Sequence, residues 1–141
     1  MKRDYGVFHV GLNVLMQKGD KFLFLRGEDG HLDMPGGRID NVEMTTPPEK
    51  VIAREIKEEL GSELKYKLGS PVFTFRQFFP KRNIWIFKVY YLAEYISGEI
   101  KLSHEHTAYK WVKAEEVKNF GVKEFYSPEE KKAFVKYFKS I

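Results

Sequence analysis

The chain has 141 residues, 43% hydrophobic and 31% charged, which excludes a disordered polymer and leaves room for one sizeable core. It has no cysteine, so disulfide frameworks and thiolate metal centres are excluded too. The formal net charge of +4 is mild and mostly scattered, with some enrichment at Lys131, Lys132, Lys136 and Lys139; it suits attraction of small anions such as nucleotides and argues against a nucleic-acid-binding surface. Residues 1–6 lack the apolar run of a signal peptide, and no stretch approaches a membrane span, so a cytoplasmic protein with no membrane partner is expected. Without internal repeats, low-complexity tracts or linkers, residues 1–141 read as a single domain.

In chain order, residues 7–16 are apolar and β-rich, Gln17-Lys18-Gly19-Asp20 reads as a turn, and residues 21–26 as a second strand, which together predict a hairpin. Residues 27–30 form a loop. Met34-Pro35-Gly36-Gly37 marks a sharp backbone feature, because proline fixes φ and glycine permits positive φ or close approach. A helix is predicted over residues 47–60, with Thr46 as N-cap, Pro47 in the first helical position, Glu49 completing a capping box and Gly61 as the stop. Strands follow at 72–79 and 84–95 around a turn at Pro80-Lys81-Arg82-Asn83. After Ser97-Gly98 come short strands near 100–102 and 109–112, a short helix at 114–118, and a helix from a second capping box at Ser127-Pro128-Glu129-Glu130 to about residue 140. Strands dominate with helices interspersed, which predicts an α+β fold with a mixed sheet and helices packed on its faces.

The most informative stretch is Arg54-Glu55-Ile56-Lys57-Glu58-Glu59-Leu60-Gly61. At helical spacing Glu55, Glu58 and Glu59 share one face, within an arc of roughly 100°, while Ala53, Ile56 and Leu60 form a different, buriable face. Clustered carboxylates repel one another, and a hard divalent cation that prefers oxygen ligands removes that cost. Glu-x-x-Glu-Glu on its own is also a common solvated surface pattern, so the helix needs its surroundings to acquire meaning.

Those surroundings are Pro35-Gly36-Gly37, Glu43 and the Arg54–Gly61 run, which together resemble the Nudix box: a glycine, five residues, a glutamate, seven residues, then Arg-Glu-aliphatic-x-Glu-Glu-x-Gly-aliphatic. The likeness is specific over residues 32–62 and extends more weakly, through the order of elements, over most of the chain. It departs from the pattern in three places. Ten residues rather than seven separate Glu43 from Arg54, so either Glu43 or Thr46 takes the place of the first glutamate; Ser62 replaces the final aliphatic residue; and Leu32 stands where many members have tryptophan.

The resemblance implies a Nudix fold, a mixed sheet sandwiched between helices, and a hydrolase that cuts a diphosphate linkage with Mg²⁺, or Mn²⁺, as cofactor. It implies Glu55, Glu58 and Glu59 as metal ligands, the Gly36 carbonyl as a further oxygen ligand, Arg54 as the group holding a carboxylate in place, and Glu55 or Glu58 as catalytic. Some members add a glutamate from a later loop, a few residues before a tryptophan; Glu105, six residues ahead of Trp111, is the counterpart here, as ligand or general base. Arg26 and Arg38 flank the glycine turn and, with Gly37, are candidates to touch substrate phosphates. Phe73, Phe75, Phe78, Phe79 and Tyr91 offer rings for a base, although aromatic residues in strands are more often core. His104 and His106 make a His-x-His pair, too sparse by itself for a zinc site.

A nucleoside triphosphate or modified nucleotide is the preferred substrate class, because no proline or tyrosine near residues 77–79 marks the ADP-ribose, coenzyme A or dinucleoside-polyphosphate subgroups. A homodimer is compatible with the family. The competing reading is a Nudix-fold module that binds a nucleotide without cutting it; retention of Glu55, Glu58 and Glu59 favours the enzyme.

Overall fold

The computed structural model describes residues 1–141. A mixed sheet is covered on both faces by helices, as expected. Its strands are β1 (Phe8–Lys18), β2 (Lys21–Gly27), β3 (Leu32–Asp33), β4 (Gly36–Arg38), β5 (Lys65–Phe79), β6 (Ile84–Ser97) and β7 (His106–Lys113), and its helices α1 (Pro48–Leu60), α2 (Ala114–Val117) and α3 (Pro128–Lys139). The main path runs β3-β2-β1-β6-β5, with β4 paired to β1 and β7 paired to β2. β1 and β6 are parallel from Phe8↔Trp85 to Gln17↔Glu94, while the other pairings are antiparallel. No helix is long and apolar enough to cross a membrane.

The runs Val14-Leu15-Met16 and Phe22-Leu23-Phe24-Leu25 are buried throughout, because both sheet faces are covered and a strand there needs apolar residues at every position. Alternation then sorts them. Leu12, Val14, Met16, Leu23 and Leu25 pack beneath Val51, Ile52, Ile56 and Leu60 of α1. Leu15, Phe22, Phe24, Phe75 and Tyr90 pack on the other side against Val117 of α2 and Phe134 and Phe138 of α3. Each such side chain contributes roughly 1.5–3 kcal/mol by leaving water.

Several elements differ from the sequence-based expectation. α1 starts at Pro48, and Pro47 takes the N-cap place with extended backbone (φ −56°, ψ 141°) and no side-chain cap. The cause is steric: the Pro48 ring disfavours helical geometry in the residue before it, so Thr46 is pushed out of capping position. Ala53 is exposed; the buried stripe instead comprises Val51, Ile52, Ile56, Glu59 and Leu60. β5 begins at Lys65 rather than Val72, because irregular pairing around Leu68 and Pro71 carries the ladder past Gly69-Ser70-Pro71. Residues 100–102 are not a strand; their segment hydrogen-bonds to the C-terminus of α1 through Lys101 N–H to Leu60 O (2.9 Å) and Ser103 N–H to Glu59 O (3.2 Å). At α3, Ser127 accepts the Glu130 N–H, but the Glu130 carboxylate reaches the N–H of Tyr126 instead of closing the box on Ser127.

Candidate active site

The site begins with a backbone turn pinned to β1. Val14 N–H donates to Pro35 O at 2.8 Å, and the buried Asn13 side chain donates to the carbonyls of Met34 (3.3 Å) and Pro35 (3.4 Å). Two glycines then let the chain pass. At Gly36 φ is 140°, and a Cβ there would lie 2.2 Å from Leu12 O; at Gly37 a Cβ would lie 2.3 Å from Glu55 Oε1. The first glycine is required by backbone conformation and the second by a carboxylate of α1 pressed against the turn.

Across the turn, Arg54 is a hub. Its Nε and Nη2 donate to the two oxygens of Glu43, each at 2.7 Å, a paired geometry that favours guanidinium and carboxylate over any other combination. Glu55 Oε1 lies 3.0 Å from Nη2, and Glu58 Oε2 lies 3.1 Å from Nη1. Glu43 therefore takes the place left open between it and Thr46. Glu43 ends a short 3₁₀ turn over Asn41–Glu43, in which Asp40 caps the Val42 N–H and Glu43 receives the Asp40 N–H, and the three additional residues are accommodated by the turn over residues 44–47 that leads into α1. Arg54 holds Glu43 below the usual carboxylate range, and Glu43 in turn raises the affinity of Arg54 for its proton.

Two carboxylates of α1 itself, Glu55 and Glu59, behave oppositely. Burial raises Glu55, partly offset by Arg54. Glu59 is pushed up to about 9, first by burial and then by the nearby charges of Asp33, Glu55 and Glu105. Its Oε2 is buried without a hydrogen-bond partner. Glu58 is the most exposed of the three, with a side chain 58% accessible. Glu105, on the segment tied to the end of α1, is exposed and close enough to bear on Glu59. No three histidine, aspartate or glutamate side chains converge to coordination distance; Arg54 instead holds Glu55 and Glu58. The donor set nonetheless fits a hard divalent cation. All donors are oxygen, and the orphaned Glu59 Oε2 sits amid negative charge that one cation would relieve.

Beside the turn opens a cleft of ≈ 630 Å³, lined among others by Gly36, Gly37, Arg38, Phe79, Lys81 and Lys88. Arg38 lies over the Phe79 ring at 5.8 Å and contacts His9 at 3.3 Å. Phe78 lines the cleft as well, whereas Phe73 and Phe75 stack near Tyr90 beneath α3 and belong to the core. Arg26 is not brought to this cleft. It pairs with Glu124 at 3.2 Å and borders a separate cavity of ≈ 310 Å³ between β2, β7 and the segment before α3. Sequence reasoning missed Asn13, Lys81 and Lys88, which carry no motif, and Asp33, whose carboxylate meets the buried His106 at 3.1 Å. His104 is exposed while His106 is buried, so the two histidines do not act as a pair.

The comparisons with known proteins agree with this geometry. Over 99 residues the chain is 31% identical to the nucleoside triphosphatase NudI of Klebsiella pneumoniae (strain 342), covering 64% of this chain and 67% of that one. The crystal structure of a MutT protein from Methanosarcina mazei Go1 superposes with a TM-score of 0.78 at 20% identity, covering 98% and 97% of the two chains. A Nudix-family hydrolase from Clostridium perfringens gives 0.70 at 21% identity, covering 94% and 95%. Residues 7–137 match the NUDIX domain family, and the chain, with its glycine turn, Glu43–Arg54 pairing and glutamate helix in that order, belongs to it.

Proposed function

We propose that this protein is a divalent-metal-dependent hydrolase of nucleoside triphosphates or modified nucleotides, with Mg²⁺ as the working cofactor and Mn²⁺ as a substitute. The observation that carries the reading is the buried Glu59 carboxylate, crowded by Asp33, Glu55 and Glu105, in a cluster that adjoins a cleft bearing Arg38, Lys81 and Lys88. Glu55, Glu58 and Glu59 would hold the metal, with the Gly36 carbonyl and Glu105 completing the oxygen set. When bound, the cation neutralises phosphate charge and lowers the pKa of a coordinated water.

The chain's own residues supply the remainder. Arg54 fixes Glu43 and gathers Glu55 and Glu58 on the same side of the glycine turn, and the last two would turn from it toward a bound cation. Arg38, at the rim beside Gly37, is placed to receive a phosphate, and Phe78 and Phe79 offer faces for a base. Glu55 or Glu105 takes the proton of the attacking water; Glu55 lies directly against Gly37 at the edge of the cleft. Attack on phosphorus then breaks a P–O–P bond without a covalent enzyme intermediate. The triphosphate preference draws support from the activity in NudI's name, since that relative shares nearly a third of its aligned residues with this chain.

The test is phosphate or pyrophosphate release from a panel of nucleoside triphosphates, oxidised triphosphates, dinucleoside polyphosphates, ADP-ribose and sugar nucleotides, with Mg²⁺ and with chelator. Metal-dependent turnover concentrated on the triphosphates is the expected result. No turnover of any member by folded protein, with Mg²⁺ or Mn²⁺, would instead favour a nucleotide-binding module.

A further inference from the structure

His106 opens β7 with its side chain only 4% exposed, between two carboxylates. Its Nε2 lies 3.1 Å from Asp33 Oδ2, while the other Asp33 oxygen accepts the Met34 N–H at 2.8 Å. Asp33 is thereby anchored to the turn that leads to Gly36 and fixes the direction of the imidazole. On the opposite edge of the ring, Nδ1 lies 4.0 Å from Glu59 Oε2. Both of these atoms are buried, and neither has a hydrogen-bond partner. Two orphaned polar atoms in one buried spot, just beyond bonding distance, are costly as they stand, and a small rotation of the Glu59 carboxylate would join them.

We infer that His106 is a positioning residue for Glu59: its Nδ1 edge hydrogen-bonds one carboxylate oxygen and so aims the other at the divalent cation, with Asp33 holding the ring in place. The inference rests on the metal-dependent reading above. Partners of this kind, one step removed from a metal, commonly change affinity by about 10–100-fold when removed. The ring also ties the carboxylate to the wall of the cleft, since Asp33 is part of its lining.

Two substitutions separate the ring's two edges. Glutamine carries an amide nitrogen where Nε2 was, so His106→Gln keeps the Asp33 bond and loses the group facing Glu59. Asparagine places its amide where Nδ1 was, so His106→Asn keeps the Glu59 side and loses Asp33. Mn²⁺ binding is measured calorimetrically without nucleotide, alongside the thermal unfolding midpoint of each variant. His106→Gln is expected to weaken Mn²⁺ binding at least about tenfold, with an unfolding midpoint like that of His106→Asn, and His106→Asn to retain most of the affinity. Wild-type-like binding by His106→Gln overturns the positioning role, as does equal weakening of both variants in step with lost thermal stability. Failure of the wild type itself to bind Mn²⁺ would overturn the metal-dependent reading, and this inference with it.

Discussion

On the α1 side of the sheet the buried residues are mostly aliphatic, and charged groups are embedded among them: Glu59 is 4% exposed within a stripe that includes Ile52, Ile56 and Leu60. On the α3 side they are mostly aromatic. There Phe134 contacts the rings of Phe24, Phe73, Phe75, Tyr90, Phe125 and Phe138. Aromatic contacts bury large areas with defined geometry and suit a face that holds the fold together. An aliphatic stripe anchors a helix while leaving the adjacent stripe free for carboxylates, whose mutual repulsion and desolvation lower stability in the metal-free protein. The contrast suggests that one face supplies stability which the other spends on keeping strained charges in place.

Substitutions on the two faces should therefore fail in different assays. The largest effect is expected from the double change Glu58→Gln and Glu59→Gln: turnover should fall by about a thousandfold or more, some 4 kcal/mol in barrier, while thermal unfolding shows a midpoint equal to or above wild type. Phe134→Ala should do the reverse, costing about 3–5 kcal/mol in denaturant unfolding while turnover per folded molecule is retained. Unchanged stability in that variant would remove the contrast.

Glu130 is the exception that sharpens the comparison, a carboxylate on the aromatic side. Burial raises it to about 7 from an ordinary value of 4.5. Because the folded value is the higher one, its contribution to stability is full below about 4.5 and is lost as pH rises through about 7, by up to roughly 3 kcal/mol. Unfolding free energy measured from pH 5 to pH 8 should decline, and Glu130→Gln should make the decline shallower, leaving the part that the raised Glu55 and Glu59 contribute; an equally steep decline in the variant would contradict the account. The smallest effect is expected from Gly37→Ala. Its Cβ would displace Glu55, and the expected cost is about tenfold in turnover with little change in unfolding midpoint, because the atom it meets is the end of a flexible side chain.

Much of this molecule was legible from residue order, and the failures have physical causes. The hairpin of β1 and β2, the stop at Gly61 and the left-handed turn at Asn83 (φ 53°) follow from local chemistry. The start of α1 was misplaced because two consecutive prolines compete for the same position and only one can be helical. The early start of β5 is hidden because Gly69-Ser70-Pro71 looks like a turn, yet Gly69 approaches Leu92 so closely that a Cβ there would lie 2.9 Å from its carbonyl oxygen, and glycine serves the ladder. At the site, the α1 glutamates carry their spacing with them, whereas the choice between Glu43 and Thr46 depended on how three additional residues fold, and only the paired bonds to Arg54 resolve it. His106 read as half of a sparse zinc motif, because its actual neighbour, Asp33, lies 73 positions away in sequence.

The central claim is that the α1 carboxylates and the cleft beside Gly37 form one site. A crystal structure with Mg²⁺ and a nucleoside triphosphate bearing a non-hydrolysable methylene bridge tests this most directly. The account predicts metal at about 2.0–2.1 Å from oxygens of Glu58 and Glu59, with the phosphates beside Arg38 and Gly37. Metal bound away from α1, or a nucleotide seated in the cavity beside Arg26 and Phe120, would contradict it.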